Sequence, residues 1–250
     1  MRVAVVGLAL AACGRYGFTP APANEIDAAS SPADAAIDAK IDDVAPDAPP
    51  LAPLFVQFGD AVQPSSTSIA ASTPQPAAVG DLLLVTLQVD NTGQLQSMSD
   101  TTGDQFVLLP ALVAKDSSHS YIAYAIIGTS SVETVTVTLS AAAQTSLRVH
   151  EYTRVDPSDP IDLYQNNTGV LMTGGPIDVP LTTTHDGELL FGYAIGIDGG
   201  AMPGPGFQTL STASGDISED APATTAGAYD VVAIDSSTSW VLWAIALRGI

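Results

Sequence analysis

Positive charge is scarce in this chain. Lys and Arg total 7 of 250 residues against 27 Asp and Glu, a formal charge of −20 at pH 7. Phosphate backbones are held by clustered Lys and Arg, so the composition argues against a nucleic-acid partner. Cysteine occurs once, at Cys13, which excludes an intramolecular disulfide, a Cys-based zinc site and a C-x-x-C redox pair. No apolar run reaches the 18 or more residues that read as a spanning helix. The run 82–87 ends at Gln88, and 191–197 carries Gly192 and Gly196 and stops at Asp198. The G-x-S-x-G elbow, the Walker loop and H-E-x-x-H are missing, and Gly204-Pro205-Gly206 lacks the third glycine of a dinucleotide loop. Beyond residue 52 the single Lys is Lys115, so Schiff-base and phosphate chemistry are poorly supplied.

What is present begins with MRVAVVGLALAACGR. One charge, Arg2, precedes about ten apolar residues, too few for a bilayer core that takes about 20 helical residues. Charged start, apolar run and small-residue exit make a secretory signal over 1–12. Leu10-Ala11-Ala12-Cys13 resembles the lipobox of bacterial lipoproteins. The resemblance implies that Cys13 becomes a lipidated N-terminus and anchors the protein in the cell envelope. Gly14 stands where an Asp would suggest inner-membrane retention, which favours the outer membrane.

Residues 13–52 read as a linker. Between 20 and 52 the chain is rich in Ala, Asp and Pro, has no aromatic residue and repeats Ile-Asp-Ala at 26–28 and 37–39. So little apolar area beside so much like charge cannot offset the entropy of ordering, which predicts a disordered acidic spacer. It resembles the Ala/Asp/Pro tethers that follow lipoboxes in some predatory and soil-dwelling bacteria.

From residue 53 the texture becomes short apolar-alternating segments between Gly, Pro, Asp, Asn and Ser clusters. Residues 132–139, VETVTVTL, alternate, with Val and Leu assigned to a buried face and Thr and Glu to a wet one. Further strands are expected near 54–59, 67–71, 81–90, 95–99, 105–109, 119–127, 145–154, 177–183, 187–197, 206–211, 226–234 and 239–248. This predicts an all-β, antiparallel, jelly-roll-like β-sandwich over 53–250. Strands 81–89, 187–197 and 239–248 are apolar on both faces and read as central. The last carries both Trp residues, so at least one of Trp240 and Trp243 is expected in the core, against the competing reading of an exposed sugar-stacking pair. Gly80-Asp81-Leu82-Leu83 and Gly187-Glu188-Leu189-Leu190 are similar at an offset of 107 residues, which suggests an internal duplication.

The arrangement Gly80-Asp81-Leu82-Leu83, the segment 99–106 (SDTTGDQF), 151–156 (EYTRVD) running into Pro160-Ile161-Asp162, and the ending Leu247-Arg248 resembles a module of secreted bacterial multidomain proteins. Such modules accompany adhesive and carbohydrate-degrading proteins. The resemblance implies a sandwich and carries over no catalytic residue.

Three groups of residues could bear chemistry. His119, His150 and His185 are scattered. In 145–154, Glu151 shares the parity of Leu147 and Val149, which assigns it to the core face, with Arg148, Arg154 or backbone donors as partners, and His150 to the outer face. Asp100 and Asp104 flank one tight turn, and Asp156, Asp159 and Asp162 lie within seven residues. Hard oxygen ligands at such spacing suit Ca²⁺; Asp side chains also build turns unaided. Asn166-Asn167-Thr168 reads as a loop, and Tyr164 and Phe207 as the best exposed aromatics. The expectation is a non-catalytic binding or adhesion module on a lipid anchor, with a glycan or protein ligand. A carbohydrate hydrolase using a carboxylate pair and a purely structural envelope protein are the alternatives.

Overall fold

The computed structural model describes residues 50–114, 117–170, 174–196, 200–235 and 239–250. The expected signal peptide, Cys13 and the linker up to residue 49 lie outside the described residues. The described part is all-β and antiparallel. Its strands are β1 (Leu54–Ser72), β2 (Leu82–Val89), β3 (Leu95–Ser99), β4 (Val107–Leu108), β5 (Leu112–Val113), β6 (His119–Ile126), β7 (Thr134–Thr153), β8 (Ile161–Val170), β9 (Gly175–Thr183), β10 (Glu188–Gly196), β11 (Ala201–Pro203), β12 (Gln208–Ser211), β13 (Ile217–Ala223), β14 (Gly227–Asp235) and β15 (Ser239–Leu247).

One sheet runs β1-β7-β2-β6-β4, with β3 on β7 and β5 on β6; a second runs β12-β13-β10-β15-β8; a third runs β11-β14-β9. Alternating side chains on β2 divide two cores. Leu83, Val85, Leu87 and Val89 pack with Val135, Val137 and Leu139, whereas Leu82 and Leu84 face Phe191, Trp243 and Ile245 of the second sheet. The second sheet buries its other face, Leu190, Leu242 and Ala244, against Ile177, Val179 and Val231 of the third. Sheets covered on both sides select strands that are apolar throughout, which is why 81–89, 187–197 and 239–248 read as continuous apolar runs and why β2, β10 and β15 are interior.

The two halves repeat one plan. The order β1-β7-β2-β6-β4 matches β8-β15-β10-β13-β12, and β3 on β7 matches β11 on β14. Leu82 lies between Tyr152 and Ile126; Leu189, 107 residues on, lies between Leu247 and Pro222. What is one bent strand in the first half is two strands in the second. β1 pairs with β7 along its length through register shifts between Gln63 and Ser68, whereas β8 and β9 pair separately with β15 and β14.

A reciprocal contact joins the halves. By the same registers Arg148 and Trp243 occupy equivalent positions, as do Ser120 and Asp216. The Arg148 guanidinium sits 3.2 Å from Asp216 Oδ2, and Trp243 Nε1 donates to Ser120 Oγ at 2.8 Å. Each half thus sends its large central side chain to the same place on the other. Both Trp residues are buried, Trp243 between the first and second sheets and Trp240 between the second and third. The exposed Trp pair is therefore ruled out.

Three readings of local structure are corrected. The stretch 217–223, ISEDAPA, is a buried strand, and Asn166-Asn167-Thr168 lies within β8 rather than in a loop. Glu133 has the parity of Val135 and is buried, not on the wet face.

Candidate functional site

The two aspartate-bearing turns flank one groove. Gly103, Asp104 and Gln105 form one wall, Pro157, Ser158 and Pro160 the other, and Val107, Tyr124 and Ile126 the floor, around about 470 Å³. The first wall is a self-bonded turn. Asp100 Oδ1 accepts from the amides of Gly103 and Asp104 at 2.6 and 2.9 Å, and Gly103 takes φ +81°, where a Cβ is strained. Asp104 in turn accepts from the Gly128 amide at 3.1 Å and the Thr102 hydroxyl at 3.0 Å. In the second wall, Asp156 Oδ1 accepts from both the amide and the hydroxyl of Ser158, at 2.9 and 2.7 Å, and these bonds hold its carboxyl below the usual range. Tyr124 is half-buried, and burial with the nearby Asp159 charge raises its pKa.

The five expected calcium ligands divide. Asp100 and Asp104 do converge, joined by buried Glu133, with one donor atom of each within 4.8 Å of the others. Glu133 Oε1 accepts from Ser131 at 2.5 Å, and hydrogen bonds reach most oxygens of this all-carboxylate cluster, Asp100 Oδ2 excepted. Asp156, Asp159 and Asp162 do not form one site. Arg248 takes the first two, at 3.7 and 2.9 Å. Asp162 instead meets the Thr184 amide at 2.8 Å and His185 Nδ1 at 3.2 Å. The spacing along the chain is misleading because Ile161 begins β8, and Asp162 sits where the pairing with β15 slips between Ala246 and Leu247. The bulge turns its side chain away from the preceding turn.

His150 and Glu151 fall on opposite faces of β7, as their alternation predicts. Both faces are buried, so His150 is a core residue and not an outer one. Its Nε2 lies 2.8 Å from Ser218 Oγ and its Nδ1 3.2 Å from Leu84 O, and burial lowers its pKa to about 3. Neutral imidazole belongs to a polar ladder between β7 and β13, whose other rungs are Arg148–Asp216 and Tyr152–Asp220. Glu151 is bound neither by Arg148 nor by Arg154. The Gln57 amide donates to it at 2.5 Å and the Ala78 amide at 3.0 Å. Glu151 also faces Asp81, whose pKa is raised to about 6 by burial, then by a shared hydrogen bond and the charge of Glu151.

Tyr164 and Phe207, the aromatics expected at the surface, are half-buried. Tyr164 packs on Trp243 with ring centroids 6.4 Å apart, and Phe207 joins the core beneath the third sheet. Sequence reasoning missed Glu133, Glu188 and Tyr124. The first two stand immediately before or at the start of a strand, a position that carries no pattern of its own. Tyr124 was hidden in a strand whose face the sequence could not assign.

Among known proteins, no family model, no curated protein and no solved structure matches the chain.

Proposed function

We propose that this chain is a lipid-anchored envelope protein whose sandwich is a non-catalytic binding module for a neutral polyhydroxylated ligand, with cell-surface carbohydrate as the first class to test. The groove between the Asp104 and Ser158 turns carries the reading. It offers an aromatic edge in Tyr124, an exposed amide in Gln105, a hydroxyl in Ser158 and oxygen acceptors on both walls. Such a mix of apolar floor and convergent polar groups suits a ligand with alternating C–H faces and hydroxyls. The charge of −20 disfavours anionic ligands. The lipobox at 10–13 and the acidic linker supply the display: a second acyl chain makes anchoring durable, and self-repulsion extends the spacer.

A glycan array with the purified chain tests the module. Retention of a neutral glycan that falls at least tenfold in Tyr124→Ala and Gln105→Ala supports the reading, and retention unchanged in both variants overturns the groove. Cys13→Ala is expected to abolish fatty-acid labelling and release the protein from membranes.

A further inference from the structure

Asp162, His185 and Glu188 come together from the β8 bulge, the β9–β10 turn and the first residue of β10. His185 Nδ1 lies 3.2 Å from Asp162 Oδ1, 3.3 Å from Glu188 Oε1 and 2.9 Å from Thr184 Oγ1. A ring nitrogen carries at most one proton, so it can satisfy only one of these three oxygens at a time. The Thr184 hydroxyl does not relieve the crowding, because it donates to Asp162 Oδ1 at 2.5 Å. Glu188 is fully buried, and its Oε2 has no hydrogen-bond partner. An unpaired buried carboxylate oxygen is costly, and the cluster contains no cation of its own apart from a protonated imidazole.

We propose that Asp162, His185 and Glu188 are a divalent-cation site of the zinc class, with three protein donors and a fourth position open to solvent. Zinc bonds of about 2.0–2.2 Å in a tetrahedron place neighbouring donors about 3.3–3.6 Å apart, close to the two separations measured from Nδ1. One imidazole nitrogen with two carboxylates favours zinc or a neighbouring transition ion over Ca²⁺, which takes six to eight oxygens. The ion takes Asp162 Oδ1 and Glu188 Oε1 beside Nδ1 and supplies the positive charge that this buried acidic pair lacks. The His185 side chain is 40% exposed and lines a pocket of about 430 Å³ beside Arg248, which gives the ion its entry path and its fourth ligand, a water or a small anion. Because β8 and β10 lie in the second sheet and the β9–β10 turn leads from the third, the ion clips two layers together at one edge.

The test is titration of the EDTA-treated full chain with ZnCl₂, CaCl₂ and MgCl₂, read by calorimetry and by thermal unfolding. Zinc is expected to bind at one ion per chain and, at a hundredfold excess over Kd, to raise the midpoint by about 5–10 °C. Ca²⁺ and Mg²⁺ are expected to leave it unchanged. His185→Ala and Glu188→Gln are expected each to lose at least tenfold in zinc affinity, while His119→Ala keeps it. Glu188→Gln keeps the side-chain shape, and should it fail to fold, the more exposed His185→Ala carries the test. No zinc binding, zinc binding unaltered in His185→Ala, or an equal response to Ca²⁺ would each overturn the assignment.

Discussion

The two halves place a carboxyl pair at the same point of the same plan, and they treat it differently. In the first half Asp81, just before β2, faces Glu151 of β7, and the pair is closed by the Gln57 side-chain amide and the Ala78 backbone amide. In the second half Glu188 stands at the position of Asp81, but Ala246 replaces Glu151, and the second acid comes from the bulge residue Asp162, where the first half has Val56. Neutral amide donors balance one pair. A histidine, a threonine and an unpartnered oxygen surround the other. One scaffold position thus serves as a structural closure in one copy and as a ligand cage in the other. What distinguishes them is the side chain at the shared bulge, Val56 against Asp162, and the donors of the β9–β10 turn, not the backbone.

The reciprocal contact shows the same divergence at the centre. Arg148–Asp216 is an ion pair buried between sheets, and Trp243–Ser120, its counterpart, is an apolar ring with one hydrogen bond. Burial alone moves Asp216 up to about 7, against the pull of Arg148. The largest expected effects lie here. Trp243→Ala leaves a cavity and is expected to cost about 3–5 kcal/mol. Arg148→Met strands a buried Asp216 carboxylate and is expected to cost a similar about 3–5 kcal/mol. Urea unfolding measures both, and a near-native midpoint for Trp243→Ala would break the equivalence of the two contacts.

A medium effect is expected from pH. Glu188 titrates in the folded state near 8 and Glu219 near 7, and in both cases burial is the main cause. The unfolded chain releases those protons near pH 4. These carboxyls therefore hold more protons in the folded state between about pH 4 and 8, and the stability from them is full below that window and lost as pH rises through it, opposed below about pH 6.5 by His150, which stays neutral in the fold and is protonated in the unfolded chain. In EDTA the thermal midpoint is expected to fall by about 5 °C or more from pH 5 to pH 8. Glu188→Gln is expected to flatten the slope, since the Asp162 and Arg248 charges and the His185 backbone amide are what act on it besides burial. A midpoint that rises over this range would contradict the burial argument.

The smallest effect sharpens the contrast between the pairs. Asp81→Asn puts an amide donor beside Glu151 in place of a carboxyl that is mostly ionised at pH 7, and is expected to shift the pH 7 midpoint by under about 2 °C, with zinc titration unchanged. Loss of zinc binding in this variant would mean that the two pairs are coupled.

Much of the fold is legible in the amino-acid sequence alone. Alternation at 134–139 and the doubly apolar runs at 81–89, 187–197 and 239–248 follow from side-chain period and from burial on both faces, and the Gly80-Asp81 and Gly187-Glu188 echo marks the repeat. The strand 217–223 is not legible in this way. Its Ser218, Glu219 and Asp220 are buried because His150, the Gly204 amide and Tyr152 meet them from other strands. No local pattern encodes a partner 15 or 68 residues away.

By itself the sequence determined the class of fold, the interior strands and the acidic character of the chain, because these depend on composition and on periods of two residues. Only the tertiary structure decided which carboxylates meet. Asp156, Asp159 and Asp162 are neighbours along the chain and part at the bulge, whereas Asp162, His185 and Glu188 come from three elements and share a point. Proximity in sequence sets turns; convergence of side chains is set by strand register, sheet order and one residue inserted in β8.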